Sequence, residues 1–377
     1  MFNVLFGEIG WNLLGIHERS YQDFFFFYSA GKSWLLKANP YVGPFGNFGD
    51  FLYPPTILPF FGMFALFDLE FASQLWTATY LSLFVVALVT LAFTVTGERR
   101  WLLVSIAVLL FLSSSALPVM AYFRQSDLLV ASLAILSLVG QRLKHHSLSA
   151  VLLSMAVLMK CLPILLLIYF VAFRRDLQYL ARFLVSSLAI VGASLLVVPI
   201  QLYSFYLTRL APILSIASSS DQNYSIVRYV SLAGMSRVSP FVSLAGVGLF
   251  ALFSLYVNPD RSRVLDKKPL LNEGMFLMNV LVMLLLGPKS WHANYVWVIL
   301  PLALFLSGLL MEETKLAYLA LIGIETFLLN SAWYDIWQHG ILSWQLNYVT
   351  IGNLMMLFSL IPIFMRRTLS FVMSGAK

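Results

Sequence analysis

Residues 124–175 read RQSDLLVASLAILSLVGQRLKHHSLSAVLLSMAVLMKCLPILLLIYFVAFRR. Three apolar runs, 127–142, 147–160 and 162–173, are set apart by two kinds of punctuation. Arg142 with Lys144, and Arg174-Arg175, are basic clusters, whereas Arg124-Gln125-Ser126-Asp127 and Lys160-Cys161-Leu162-Pro163 mix a charge with an amide, an acid, a thiol or a proline. The two kinds alternate. A chain that crosses a bilayer repeatedly behaves this way, because Lys and Arg collect in the cytoplasmic turns. The runs are short for a hydrocarbon core of roughly 30 Å, so they are expected to be tilted or sheltered by neighbours.

The same pattern extends outward over all 377 residues, of which 60% are hydrophobic and only 11% charged. A soluble domain of this size could not hide so much apolar surface, so lipid is the expected solvent. Apolar runs near 2–16, 71–95, 101–122, 127–142, 147–160, 162–173, 181–206, 240–257, 274–288, 293–310, 315–331 and 348–365 predict an all-α polytopic bundle of about twelve spans. The chain is expected to be one integral-membrane domain over 1–377. The first run is short and carries Glu8, and it lacks the basic start and cleavage site of a secretory signal. Pro54–Phe67 is too short to cross, and counting it would break the alternation, so it is expected to lie in the interface.

Arg99-Arg100, Arg142 with Lys144, Arg174-Arg175, the stretch 261–268, Lys315 and Arg366-Arg367 fall on one side, read as the cytoplasm. Both termini are then cytoplasmic in a plasma-membrane protein, and these clusters read as ordinary anchors. Most of the net charge of +7 sits there, so it sets topology and argues against nucleic-acid binding. The other side receives a long first loop (17–70, with interfacial helices), a second long loop (207–238, a possible lid) and several turns. Those outer segments carry acids, cations, amides and aromatics together. One cysteine excludes an intramolecular disulfide and a cysteine metal cluster.

Asp23, just past the first span and ahead of an aromatic run, suits a general base because an apolar interface raises a carboxylate pKa. Position alone suits an N-cap better, and the two roles are compatible. Tyr28, Asn39 in Asn39-Pro40-Tyr41, and Tyr53 before Pro54-Pro55 read as turns with rings at headgroup level, or as sugar contacts. Arg124 and Asp127 flank Gln125, which offers both donor and acceptor to a sugar hydroxyl; an arginine and an aspartate this near lipid usually pair or face a cavity. Lys160 closes a helix, either snorkelling or donating to a phosphate. Gln222 and Asn223, with Arg228 beyond them, lie in the second outer loop. Lys289, Trp291 and His292 share the densest turn, 287–295, where a histidine beside a cation is a candidate phosphate or sugar donor. Glu325 reads as a buried acid bonding a neighbouring helix.

Taken in order (Asp23 to Tyr28, Asn39-Pro40-Tyr41, Tyr53-Pro54-Pro55, Gln125, Lys160 with Pro163, Gln222 to Ser225, and Ser290-Trp291-His292), these residues resemble the integral-membrane glycosyltransferases of the GT-C superfamily. The resemblance is to polyprenol-phosphate-mannose-dependent α-mannosyltransferases, the phosphatidylinositol-mannoside type included, and runs nearly end to end. That family more often shows Gly-Gln-x-Asn where this chain has Arg124-Gln125-Ser126-Asp127. The resemblance implies that a polyprenyl-phosphate sugar donates a hexose to a glycolipid or glycan hydroxyl on the extracytoplasmic side, with inversion. It implies Asp23 as base and His292 at the active site. Phosphate ligands are expected among Lys160, Lys289, Arg124, Arg228 and His292, and sugar or acceptor contacts among Gln125, Asp127, Tyr28, Asn39, Tyr53, Gln222, Asn223 and Trp291. No cofactor or metal is expected. Two rival readings are a transporter of lipid-linked sugars and a polymerase or ligase using polyprenyl-diphosphate donors.

Overall fold

A computed structural model of the chain describes residues 22–42, 51–114, 120–121, 123–216, 223–257, 269–311, 323 and 350–361. Among these residues the regular elements are helices. The ones used below are α1 (Gln22–Leu35), α2 (Leu58–Phe64), α3 (Leu69–Phe93), α4 (Glu98–Ser113), α5 (Asp127–Arg142) and α6 (His146–Met159). They continue with α7 (Leu177–Leu195), α8 (Arg228–Leu232), α9 (Ser239–Val257), α10 (Pro269–Leu286), α11 (Val296–Met311) and α12 (Thr350–Ile361). The chain divides into two compact units, Met1–Leu91 with Ala116–Cys161 and Arg182–Ser215, and Ala92–Ser115 with Leu162–Ala181 and Ile216–Lys377.

Aromatic packing organises the first unit. Phe24, Phe27 and Tyr28 recur at the spacing of one helical face, and all three are buried. Phe24 stacks on the fully buried Trp76 of α3 at 6.0 Å, and Phe27 stacks on Phe61 of α2 at 4.7 Å. The approach of α1 to α2 needs a missing side chain, since a Cβ at Gly31 would lie 2.6 Å from the Phe61 carbonyl carbon. Tyr41, expected at headgroup level, instead packs in this core against Phe51 and Phe205. The cause is local: the Tyr41 amide donates to Asn39 Oδ1 at 3.0 Å, which turns the chain inward, and the Tyr41 hydroxyl donates to the Tyr53 carbonyl at 2.8 Å.

Beside this core, α5 and α6 form an antiparallel hairpin. Gly140 lets the helices touch, with Ser149 backbone 3.2 Å from where a Cβ would stand, and the Ser149 hydroxyl donates to the Ser137 carbonyl at 2.6 Å. From Asp127 to Gln141, α5 is buried on every side except at Leu136. A helix of this length reaches only about 24 Å, but one wrapped by protein need not match the lipid thickness.

In the second unit α10 and α11 are the enclosed pair, buried over 89% and 83% of their apolar windows, while α9 keeps 17% buried and turns Phe241, Leu249 and Leu252 outward. Arg99 departs from the sequence reading. Rather than anchoring in a loop, its guanidinium pairs with Glu273 of α10, donates to the Leu304 carbonyl of α11 at 3.0 Å and reaches Ser307 Oγ at 3.3 Å. Gly308 leaves the space for it, since a Cβ there would meet Arg99 Nη2 at 2.6 Å. The Glu273 side chain is 1% exposed, so the pair ties α4 to the centre of the unit.

Five described helices are long and apolar enough to cross a membrane: Leu69–Phe93, Leu177–Leu195, Ser236–Val257, Pro269–Leu286 and Ala293–Met311. Four more apolar helices are shorter: Pro55–Phe64, His146–Met159, Leu162–Phe173 and Thr350–Ile361. The run expected as one span over 181–206 is broken, because α7 stops at Leu195 and Pro199 caps a separate short helix, Ile200–Phe205. The Pro54–Phe67 stretch folds as a turn and the two-turn α2, which is too short to cross. Span 2–16, Glu325 and nearly all of 315–331 lie outside the described residues.

Because breaking one side of a buried pair costs about 3–5 kcal/mol while apolar replacement of both is often neutral, Arg99→Met and Glu273→Met should each lower the unfolding temperature in detergent. The double substitution should recover most of the loss. Additive losses in the double variant would show that the pair is not a unit.

Candidate active site

The hairpin positions the site. With α5 and α6 antiparallel, the first residue of α5 stands beside the last of α6, and these are Asp127 and, as the residue capping α6, Lys160. Each charge suits its helix end, an acid at the positive N-terminus and a cation at the negative C-terminus. Lys160 Nζ donates to both Asp127 carboxylate oxygens, at 2.7 and 2.9 Å. The carboxylate is fully buried, while the lysine side chain keeps 21% exposure. Burial by itself would lower the Lys160 pKa, but the charge of Asp127 with its hydrogen bonds, together with the charge of Asp23, outweighs it and holds the ammonium above the ordinary lysine value.

Around this pair the turn before α5 is held tightly. Arg124 adopts a left-handed φ of 51°, a conformation costing about 1 kcal/mol for a side-chain-bearing residue, and its carbonyl accepts from Trp76 Nε1 at 2.8 Å. Ser126 Oγ lies 3.2 Å from the Tyr53 hydroxyl. Burial raises the Tyr53 phenol, so it stays protonated near neutral pH and can act as a donor. Asp23, half-buried in the first turn of α1, is near enough that its charge bears on both Lys160 and Tyr53. Gln125 is half-buried on the same turn, and among the described residues its side chain makes no hydrogen bond.

Thus the first unit gathers Asp23, Tyr53, Asp127 and Lys160, with Gln125 beside Ser126. It gives other expected contacts different work. The Tyr28 hydroxyl donates to the Phe67 carbonyl at 2.8 Å, and Asn39 makes the turn that buries Tyr41. Arg124 is 1% exposed, and its neighbours are protein. The Asp127–Lys160 pairing itself was missed from sequence, where Asp127 was set against Arg124. One signal could have found it: the two residues are nearly equidistant from the Lys144 turn, so a hairpin folding there must bring them together.

The second unit holds its own polar cluster, built by two segments laced together. Asn223 is fully buried; its side-chain nitrogen donates to the Pro288 carbonyl at 3.0 Å, and its oxygen accepts from the amides of Ser290 (3.0 Å) and Ser225 (3.2 Å). The Tyr224 amide donates to the Ser290 carbonyl at 2.7 Å and that of Ile226 to Leu285 at 2.9 Å. Asn223, expected to touch sugar, is thus engaged in holding the turn. From Asn223 onward the expected lid is fastened to α10, while 206–214 is helical. Lys289 and Trp291 remain half-buried on the turn, and burial lowers the Lys289 pKa. Arg228 is 6% exposed at the start of α8. His292 opens a short helical turn, His292–Tyr295; its side chain and the whole of Gln222 lie outside the described residues.

Among the described residues, no three His, Cys, Asp or Glu side chains group closely enough to hold an ion. No curated protein matches the chain. The sequence model of Glycosyltransferase family 87 matches residues 51–288, well over half of the chain, and takes in Tyr53, the Asp127–Lys160 pair and Asn223. With helices fit to cross a bilayer and a polar constellation at a hairpin end, the chain belongs to glycosyltransferase family 87 and is a membrane enzyme that moves a sugar from a donor to an acceptor.

Proposed function

We propose that this glycosyltransferase takes a hexose, mannose, from a polyprenyl-phosphate donor and places it on a hydroxyl of a glycolipid or glycan, at the extracytoplasmic face of the plasma membrane. The observation that carries the reading is the placement of Asp23. Its half-buried carboxylate lies in electrostatic reach of the anchored Lys160 ammonium and the protonated Tyr53 phenol. A base, a fixed cation and a neutral donor are the three things a displacement at an anomeric carbon asks of a protein.

In the proposed step the acceptor oxygen attacks the anomeric carbon, its proton passes to Asp23, and the bond to the phosphate oxygen breaks as polyprenyl phosphate leaves. A single displacement turns a β-linked donor into an α-linked product. Charge grows on the departing phosphate, so a preorganised ammonium contributes most in the transition state. Lys160 fits that role because Asp127 fixes it at one end while a fifth of the side chain stays open. A monophosphate asks for less neutralisation than a diphosphate, which favours a metal-independent reaction. Gln125 is the proposed sugar contact in this unit. In the second unit Lys289 is the proposed phosphate ligand, with His292 and Trp291 on the same turn, while the burial of Arg124 and Arg228 favours a positioning role for both.

Family membership removes the transporter reading. Purified Asp23→Ala protein should keep its unfolding temperature and donor affinity yet lose transfer by about 10²–10⁴-fold, the usual contribution of a general base; turnover near that of the unmodified enzyme would rule the assignment out. In detergent, a polyprenyl-monophosphate hexose should support transfer where the matching diphosphate does not. The reverse preference would favour the polymerase or ligase reading.

A further inference from the structure

At the other end of the α5–α6 hairpin, about 20 Å from the Asp127–Lys160 pair by the length of α6, the first unit has an open cavity of about 440 Å³. It is lined by Lys144, His145, His146, Ser147, Leu148 and Arg182. The cations come from two elements, since Arg182 is carried by α7. Backbone geometry adds to the charge. The lining includes the first turn of α6, whose N-cap His145 makes no side-chain cap, so the amides there face the cavity end of the helix. Free amides at a helix N-terminus favour an anion.

The turn itself is built around a lysine at some cost. The His145 amide donates to the Gly140 carbonyl at 2.7 Å and that of Lys144 to Gln141 at 3.2 Å, a helix stop whose left-handed position is ordinarily glycine. Here Lys144 occupies it with a φ of 63°. Gln141 Oε1 lies 2.5 Å from His146 Nδ1 and fixes that ring on the cavity wall.

The apolar surface leading away from the cavity selects among anions. On α6, Leu148, Val151 and Met155 form an exposed stripe at 54%, 36% and 45%. On α7, Leu184 and Leu188 are exposed at 50% and 71%. The helices are joined where the Ser154 hydroxyl donates to the Phe183 carbonyl at 3.1 Å and Ser187 to Ser154 at 3.0 Å. We infer that this cavity binds the phosphate headgroup of an anionic membrane lipid, with Lys144, Arg182 and the first turn of α6 holding the phosphate and the exposed stripes of α6 and α7 carrying the acyl chains. A plain topology-setting loop has charge but no cavity, and a site for free phosphate has no use for the stripes.

Native mass spectrometry of the full-length protein, titrated with phosphatidylglycerol and with phosphatidylcholine, tests this. The unmodified protein should prefer phosphatidylglycerol, and Lys144→Gly and Arg182→Gln should each cut that preference roughly fivefold, in line with about one charge apiece. Lys144→Gly removes the charge while relieving the backbone, so its unfolding temperature should hold or rise and loss of binding cannot be laid to misfolding. Lys32→Ala with Lys37→Ala, exposed lysines elsewhere, should change nothing. A preference unaltered in both cavity variants would overturn the proposal, as would displacement of the lipid by millimolar inorganic phosphate, which would mark a site for the free ion.

Discussion

A carboxylate fully removed from water persists in this protein because an ammonium meets both of its oxygens. The Asp127–Lys160 pair fixes the open end of the α5–α6 hairpin, and with it the turn that carries Gln125 and Ser126 and the contact from Ser126 to Tyr53. An ion in a low-dielectric interior costs several kcal/mol unless it is paired and hydrogen-bonded. The same constraint recurs in the second unit, where Arg99 and Glu273 join α4, α10 and α11. In the same unit the amide of Asn223 fastens one polar segment to another.

Much of the helical layout was legible in the sequence, for a physical reason. In lipid the backbone must satisfy its own hydrogen bonds, so long apolar runs become helices whatever their neighbours. The runs at 127–142, 147–160 and 240–257 match α5, α6 and α9 to within a residue or so. Asp23, Tyr53, Asp127 and Lys160 could be singled out because polar residues at the edges of such runs are few. Partnerships were not legible, since they depend on which helices meet. Arg99 looked like any loop arginine, and only the placement of Glu273 and the space left by Gly308 make it a buried strut. Tyr41 looked like an interfacial ring, and an Asx turn at Asn39 carried it into the core.

In the proposed reaction Lys160 meets a structural and a catalytic demand at once. Its bond to Asp127 restricts a flexible side chain, and an ammonium already oriented needs little reorganisation when a leaving phosphate gains charge. The hairpin thus places a positioned cation at one end and, at the other, a basic cavity beside exposed apolar helix faces. With the lipid-linked donor proposed above, the enzyme would hold membrane lipid at one end of the hairpin while transfer proceeds at the other.

The account turns on Asp23 removing the acceptor proton. Chemical rescue tests that directly: formate added to Asp23→Ala protein, with donor and acceptor saturating, supplies a small carboxylate where the side chain stood. Recovery of transfer that rises with formate and gives a product of inverted anomeric configuration is the expected result. No recovery at any formate concentration, from protein that still binds donor, would contradict it.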